Sequence, residues 1–248
     1  MPNEKGMSKR QLLREKRQRE QNRNRLFSIG AVVVGALVLA LLFIYPNLKP
    51  VGEVVSITPG TYPQTDMNTM GDPNAPVKLE TWEDFQCPAC KNFSVNVESL
   101  LIQNYIATGK VYYVFHHYPF IDDYSDVSKE SDQAANASMC AGEQGRFWDY
   151  KNILFANWNG ENIGAYADRR LLAFAESLGL EMGGFKKCFN SNTYQTQIDK
   201  DFSDGLDAGV ESTPSIFVNG ELVTNPDGAN LVPTYENVAA AIEAALAK

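Results

Sequence analysis

The sequence predicts a mixed α/β domain with a helical insertion, preceded by one transmembrane helix. Three observations support this prediction. Residues 26–45 form an apolar run without a charged residue. Downstream, short β-branched and aromatic runs alternate with segments of helical spacing, in the order β–α–β, several helices, β–β–α. A chain of 248 residues that is 44% hydrophobic is also long enough to bury one substantial core.

The net charge of −8 averages two unlike parts of the chain. Residues 1–25 contain nine Lys or Arg and three Glu, which gives a net charge of +6. Residues 26–248 contain 13 basic and 27 acidic residues, which gives a net charge of −14. Nucleic-acid binding needs a basic surface that replaces phosphate counterions. The acidic body therefore argues against nucleic acid as a partner.

The apolar run is long enough to cross a membrane as a helix. At about 1.5 Å per residue it spans about 30 Å, the thickness of the hydrocarbon core. The basic tail, residues 1–25, precedes it, so the positive-inside rule places this tail in the cytoplasm. A cleaved signal peptide would have a shorter apolar region and a small-residue cleavage site. We therefore predict an uncleaved signal anchor that crosses the cytoplasmic membrane once, with the rest of the chain on the extracytoplasmic side.

The prolines predict a linker after the anchor. Residues 46–76 contain six of the twelve prolines and show little apolar periodicity, which is typical of a semi-extended spacer. A short edge strand over residues 54–57 is compatible with this interpretation. The folded domain is then expected over residues 77–248.

Periodicity predicts each element of this domain in turn. Alternation of apolar and polar residues over 77–82 predicts a strand, and the helical spacing of apolar residues over 90–107 predicts a helix. The run of aromatic and β-branched residues over 111–115 predicts a buried strand. Residues 122–205 exceed what one crossover needs, which indicates a helical insertion packed on the sheet edge. Asn219-Gly220 suits a type I′ turn between two short strands, and a helix over about 234–247 ends the chain.

Cys87-Pro88-Ala89-Cys90 lies where the first strand meets the following helix. A cysteine at a helix N-terminus faces unsatisfied N–H groups and the positive end of the helix dipole, which stabilise its thiolate. Pro88 suits a first helical turn, where its missing N–H costs nothing. Cys90, one turn on, is expected to be less exposed and to resolve a mixed disulfide.

Two acidic residues precede this motif. Asp84 either handles protons for Cys90 or caps a turn, and the sequence leaves both roles open. Glu83 is expected to face solvent.

A zinc site built from four cysteines would need Cys140 and Cys188 in addition to Cys87 and Cys90. Zinc sites usually take their cysteines from two close pairs, whereas Cys140 and Cys188 are 48 residues apart. We therefore expect no metal, and no cofactor.

Thr213-Pro214 directly precedes the strand predicted near residue 216. A proline is allowed at a strand entrance. A cis bond at this position would form a tight turn that exposes the Thr213 backbone N–H and C=O. Those groups could pair with an extended substrate chain beside Cys87. The alternative is an ordinary trans peptide bond before Pro214. The place of Pro214 in the order of elements favours the cis bond.

Four segments in the same order resemble one protein family. They are residues 83–90 (EDFQCPAC), 114–119 (VFHHYP), 140–148 (CAGEQGRFW) and 209–220 (GVESTPSIFVNG). They resemble the DsbA-like branch of the thioredoxin superfamily, especially its bacterial membrane-anchored and lipoprotein members.

The resemblance implies a thioredoxin fold with an inserted helical subdomain. It also implies a nucleophilic Cys87, a resolving Cys90 and a cis-Pro214. We expect Thr213, Pro88 and Ala89 to lie beside the substrate. One position departs from the family pattern. Strong oxidants of this family often have His before the second cysteine, where this chain has Ala89. That change favours a less oxidising potential.

With the active-site pair assigned, Cys140 and Cys188 remain. We predict a structural disulfide between them, against the alternatives of two separate buried thiols or a second redox relay. Chain entropy would make such a crosslink worth about 4 kcal/mol.

The predicted function is that of an extracytoplasmic, membrane-anchored thiol–disulfide oxidoreductase. We expect a dithiol oxidase that introduces disulfides into reduced exported proteins and is reoxidised by a quinone-linked membrane partner. The alternatives are a disulfide isomerase or reductase, and a non-catalytic membrane-tethered binding module with a structural CxxC disulfide.

Overall fold

The chain forms two compact units, Met1–Pro50 and Val51–Lys248. The computed structural model describes residues 9–48, 52–125, 128–224 and 232–248.

The first unit contains one continuous helix, α1 (Lys9–Leu48). Its stretch Leu13–Leu42 is long and apolar enough to cross a membrane. The helix begins well before the apolar run because the basic segment is rich in Lys, Arg, Gln and Glu, which favour helices.

Much of the segment predicted as a linker belongs to the folded second unit. The Val55 backbone N–H donates to Asn157 Oδ1 at 2.8 Å, and Asn157 Nδ2 donates back to the Val55 carbonyl at 2.9 Å. The Gly60 N–H donates to the Asp149 carboxylate at 2.8 Å. Val55 is therefore held by a side-chain amide, and residues 54–57 are not part of a strand. Asn157 lies 102 residues beyond Val55, so local proline content could not indicate this contact.

Six strands form one sheet. In chain order they are β1 (Thr65–Asp66), β2 (Thr69–Met70), β3 (Val77–Glu83), β4 (Val111–His117), β5 (Ser215–Val218) and β6 (Glu221–Leu222). Across the sheet their order is β1-β2-β4-β3-β5-β6. The central pair β3 and β4 is parallel, and the other neighbours are antiparallel. The β1–β2 hairpin thus adds two strands inside the predicted linker range.

Helices cover the sheet and fill the insertion between β4 and β5. They are α2 (residues 88–106), a 3₁₀ turn (Phe120–Tyr124), α3 (Glu130–Gly142), α4 (Phe147–Ala156), α5 (Asp168–Ser177), α6 (Met182–Asn190), α7 (Gln195–Asp207) and α8 (Tyr235–Leu246). Helix α2 contains two wider π-type segments, Ser94–Glu98 and Ile102–Ile106. Helix α8 packs against β3, β5 and α2, and α7 packs against β4.

Two local signals give the structure that the sequence predicts. Asn219 and Gly220 have φ angles of 51° and 80°, as a type I′ turn between β5 and β6 requires. Thr234 precedes α8 and forms a capping box with Asn237, in which each side chain bonds the other residue's backbone N–H.

Candidate active site

Cys87 lies at the junction between the end of β3 and the first turn of α2. The Asp84 backbone oxygen accepts the Cys87 N–H at 3.0 Å, and the Asp84 carboxylate accepts the Gln86 N–H at 2.8 Å. Cys87 is the N-cap of α2, and Pro88 is in its first turn. This local structure follows from the residue types, because Asp favours turns and Pro has no N–H to leave unpaired.

The environment of Cys87 stabilises its thiolate. A hydrogen bond with Cys90 lowers the pKa of Cys87 from 9.0 to about 6, helped by Thr213 and the N–H groups of Cys90 and Ala89, while burial opposes the change. Those N–H groups belong to the first turn of the helix, where they have no partner within the helix. A thiol with this pKa is mostly ionised at neutral pH, and is both a nucleophile and a good leaving group.

Cys90 has the opposite properties. It is fully buried, at 0% exposure, whereas Cys87 keeps 6%. Burial raises the pKa of Cys90 well above 9.0, and the charges of Cys87 and Glu83 add to this effect. Both cysteines carry free thiols. At neutral pH one thiol of the pair is therefore ionised and the other is protonated.

The loop before β5 completes the surroundings of Cys87. The Thr213–Pro214 peptide bond is cis. The Thr213 carbonyl oxygen accepts a hydrogen bond from Cys87 Sγ at 3.4 Å, across 126 residues of sequence. The antiparallel pairing of β5 with β3, in which Ser215 lies opposite Trp82, brings Thr213 close to Cys87. Backbone N–H and C=O groups beside a reactive sulfur can pair with an extended polypeptide.

The surface next to Cys87 is mostly apolar. Pro88 is exposed and Ala89 half-buried. The Trp158 indole N–H donates to the Gln86 carbonyl at 2.6 Å, which places this ring beside the motif. Lys91 Nζ lies 5.2 Å from the centre of the Trp158 ring, so one cation borders this apolar surface.

The buried Asp84 carboxylate accepts three hydrogen bonds that hold the loop to the insertion. Besides the Gln86 N–H, its donors are the Ile121 N–H at 3.0 Å and the Ser131 hydroxyl at 2.6 Å. Burial raises the pKa of Asp84 to about 7, although these hydrogen bonds oppose the change. These are the contacts of a turn carboxylate, one of the two roles that the sequence left open.

The expectation that Glu83 faces solvent is wrong. Its side chain is buried, at 1% exposure. Burial raises the pKa of Glu83 to about 8; Lys151 lowers it, and Glu98 and Cys87 raise it further. The two-residue alternation of side chains along β3 is the sequence signal that indicates this burial. Glu83 alternates in phase with Val77, which is fully buried, and side chains two residues apart share a face of the sheet.

The other cysteines and the histidines have partners other than the two thiols. Cys140 and Cys188 form a disulfide between α3 and α6, with Cα atoms 5.8 Å apart. The His116 Nε2 is 3.2 Å from Glu80, and His117 is buried in an aromatic environment. Among the residues that the structure describes, no group of three or more His, Cys, Asp or Glu is placed to hold a metal ion.

A family profile described as Thioredoxin matches residues 64–244. The chain belongs to the thioredoxin family. Its relatives include the probable disulfide bond formation protein D of Bacillus anthracis, 27% identical over 82% of this chain and 88% of that protein. The protein of the same name from Bacillus cereus is 30% identical over 64% of this chain and 72% of that protein.

The fold is also similar to that of a solved structure. The oxidised BdbD of Bacillus subtilis superimposes with a TM-score of 0.63 at 23% identity, covering 79% of this chain and all of that one. The protein is thus a thiol–disulfide oxidoreductase of the thioredoxin family, related to the disulfide bond formation proteins D, with a thioredoxin fold and inserted helices. The predicted fold and enzyme class are confirmed, which sets aside the non-catalytic binding module.

Proposed function

We propose that this member of the thioredoxin family is a membrane-anchored dithiol oxidase that introduces disulfides into exported proteins through Cys87 and Cys90. The direction is supported by the place of Cys87 at the N-terminus of α2, where the hydrogen bond with Cys90 and the N–H groups of Cys90 and Ala89 lower its pKa to about 6. At pH 7 this pKa stabilises the reduced form by about 1.4 kcal/mol relative to a thiol of pKa 9.0. That energy corresponds to about 30 mV for a two-electron couple. A stabilised reduced form makes the disulfide a better oxidant.

Two thiol–disulfide exchanges transfer the electrons. A client thiolate attacks Cys87 Sγ in the Cys87–Cys90 disulfide, a bond forms between client and Cys87, and Cys90 leaves with the electron pair. A second client thiolate then attacks the client sulfur of the mixed disulfide, and Cys87 leaves as a stabilised thiolate. The client loses two electrons, and the Cys87–Cys90 pair gains them.

Glu83 supplies the proton that the departing Cys90 needs. A thiolate is costly at the buried Cys90 position, as its raised pKa indicates. With a pKa of about 8, the Glu83 carboxyl is protonated at neutral pH and can act as the acid. In the reverse direction the same carboxylate takes the proton back.

The backbone of Thr213 and the surface of Pro88 and Ala89 hold the client chain. The Thr213 carbonyl oxygen lies 3.4 Å from Cys87 Sγ, so a strand paired with the Thr213 backbone would present a sulfur to Cys87. The apolar surface suits unfolded polypeptides, which expose apolar side chains.

Helix α1 is the anchor of this enzyme. Its basic N-terminal segment stays in the cytoplasm, so the catalytic domain lies on the extracytoplasmic side. A quinone-linked protein in the same membrane reoxidises the enzyme by accepting two electrons and two protons from the Cys87–Cys90 dithiol.

Client oxidation tests this proposal. The oxidised full-length chain in detergent is mixed with a reduced, unfolded protein, and the loss of free client thiols is followed. We expect rapid loss with the wild type and none above background with Cys87→Ser. Equal rates for the two would refute the oxidase. If the wild type instead rearranges scrambled disulfides, the result would favour a disulfide isomerase. The isomerase is the second candidate because Ala89 has no side-chain donor for the Cys87 thiolate.

A further inference from the structure

His116 of β4 lies between two carboxylates, where α7 packs against the sheet. Its Nε2 is 3.2 Å from Glu80 Oε1 of β3, and its Nδ1 is 3.7 Å from Asp201 Oδ1 of α7. A neutral imidazole has one N–H, so whichever nitrogen carries it, the lone pair of the other nitrogen faces a carboxylate. The imidazolium presents an N–H to both partners. The two carboxylates therefore favour the charged ring.

The Trp82 ring also favours the charge. The rings of His116 and Trp82 stack with their centres 4.4 Å apart and their planes 15° apart. Trp is the best aromatic partner for a cation within about 6 Å of its ring centre. Although burial lowers the pKa of His116, the contacts with Asp201 and Glu80 and their charges raise it above 6.5. Stacking and ion pairing thus act in the same direction.

The groups around the His116 ring come from β3, β4 and α7. Lys78 Nζ lies 2.7 Å from Glu80 Oε1, the oxygen that His116 also approaches, but about half of the Lys78 side chain is exposed. Burial lowers the pKa of His117 to about 4, so this neighbour is neutral at neutral pH. The charged and titratable groups around the ring are Lys78 and Glu80 of β3, His117 of β4, and Lys200 and Asp201 of α7.

Asp201 joins the end of β4 to α7, the helix that precedes Thr213. Its side chain is only 3% exposed. Asp201 Oδ2 accepts the His117 backbone N–H at 3.1 Å, and Oδ1 accepts Gln197 Nε2 at 2.8 Å. A buried carboxylate is costly unless a positive charge offsets it, and the His116 imidazolium does so here. The position of α7 therefore depends on the charge of His116.

The end of α7 packs against the same Trp82 ring. A Cβ atom on Gly205 would lie 2.7 Å from the Trp82 ring and 2.8 Å from the Tyr118 ring, so the helix backbone contacts both rings. The Val210 N–H donates to the Gly205 carbonyl at 2.8 Å, and the Tyr118 hydroxyl donates to the Val210 carbonyl at 3.0 Å. Thr213 follows three residues later. A shift of α7 would therefore move the backbone beside Cys87.

We propose that the His116 imidazolium is a positioning residue that, between its two carboxylates, holds α7 and thereby the Thr213 backbone in place for the client. The inference rests on the proposed function, in which a client strand pairs with this backbone. No bond to His116 forms or breaks during the reaction. A raised pKa means that the contribution of the charged ring is present at lower pH and is lost as pH rises through that pKa. Client pairing should therefore weaken above the His116 midpoint.

Nitrogen NMR of the full-length chain in detergent measures the charge of the ring. His116 and His117 are the two histidines of the sequence, so labelled histidine gives two ring signals, and His116→Gln removes one. We expect a His116 midpoint above 6.5, lowered by about one unit in Glu80→Gln and in Asp201→Asn. Asp199→Asn removes an exposed carboxylate of the same helix and is the matched control without a shift. A wild-type midpoint of 6.5 or below, or unchanged midpoints in both carboxylate variants, would overturn the inference.

Two chromogenic disulfides measure the effect of the ring on client pairing. One joins a nitrothiophenol reporter to the cysteine of an extended peptide, and the other joins it to mercaptoethanol, which has no backbone to pair with Thr213. The Cys87 thiolate of the reduced enzyme attacks the peptide or mercaptoethanol sulfur, a mixed disulfide with Cys87 forms, the original disulfide breaks, and the reporter leaves as thiolate. The ratio of the two rates cancels the ionisation of Cys87. This ratio should fall about fivefold as pH rises through the His116 midpoint, as expected for the loss of one backbone hydrogen bond.

Three variants separate the charge of His116 from its place in the fold. His116→Gln has no charge and should give the low ratio at every pH. His116→Arg keeps a planar cation that can stack on Trp82 and bind both carboxylates, so it should give the high ratio at every pH. In Glu80→Gln the fall should occur about one pH unit lower, together with the NMR midpoint, whereas Asp199→Asn should match the wild type. A pH-independent wild-type ratio, or a ratio that does not follow the NMR midpoint of Glu80→Gln, would overturn the inference.

These measurements do not depend on the direction of catalysis. Client oxidation no faster than that of Cys87→Ser would refute the oxidase, while the ring midpoint and the rate ratio would still decide the role of His116. If the His116 variants fail to fold by circular dichroism, Glu80→Gln remains, and its NMR and rate-ratio midpoints must still fall together.

Discussion

Removal of the Cys90 sulfur should make Cys87 a weaker acid. The hydrogen bond with Cys90 is the largest contribution to the Cys87 pKa of about 6. A hydrogen bond to a charged group is worth about 1.5–3 kcal/mol, or about one to two pKa units. Cys90→Ala should therefore raise the Cys87 pKa to about 7 or 8. The thiolate fraction at pH 7 should fall from about nine-tenths to between about a half and a tenth.

Thiolate absorbance at 240 nm, followed from pH 4 to 10 on the full-length chain in detergent, measures this change. The rate of alkylation by iodoacetamide at pH 7 should fall about twofold to tenfold in parallel. Cys90→Ser retains a hydroxyl donor, so its midpoint should lie between those of the wild type and Cys90→Ala. Cys87→Ala should abolish the absorbance change. A Cys90→Ala midpoint equal to that of the wild type would refute the assignment of the low pKa to this hydrogen bond.

Two further predictions concern stability, measured by chemical unfolding of the full-length chain in detergent. Burial lowers the pKa of His117 from 6.5 to about 4, so the unfolded chain binds this proton more readily and stability is lost as pH falls from 6.5 towards 4. The wild type should lose about 2.5 kcal/mol more than His117→Phe between pH 7 and pH 4.5, and equal losses would contradict the burial argument. The Cys140–Cys188 disulfide closes a loop with a sequence separation of 48. The Cys140→Ala/Cys188→Ala variant should therefore be about 4 kcal/mol less stable while its Cys87 titration stays unchanged; a shifted Cys87 midpoint would show that the two cysteine pairs are coupled.

Local patterns were sufficient for the elements that position the thiols. Alternation predicts β3, the aromatic and β-branched run over residues 111–115 predicts β4, and Asn219-Gly220 predicts the hairpin that follows the cis peptide bond. The place of Cys87 at a helix start follows from the strand before it and from Pro88 after it. These features are set by neighbours within a few residues, so periodicity and capping rules describe them well.

The charged groups beneath the thiols could not be predicted in the same way. Lys151 meets Ser94 across 57 residues of sequence, and no local pattern distinguishes a buried lysine in a helix from a solvated one. The Val55–Asn157 contact is a similar case, since a side-chain amide far along the chain binds the backbone of a proline-rich segment. Glu83 is different, because its phase in β3 already placed it on the buried face.

The reduction potential of the Cys87–Cys90 pair tests the central claim most directly. The full-length chain is equilibrated with defined ratios of reduced and oxidised glutathione, and the fraction of disulfide is measured by alkylation and mass. The low Cys87 pKa predicts an oxidising potential, and the absence of a histidine at Ala89 places it below the strongest oxidants, between about −120 and −200 mV. A potential near that of thioredoxin, about −270 mV, would contradict the account, because such a pair would reduce client disulfides rather than form them.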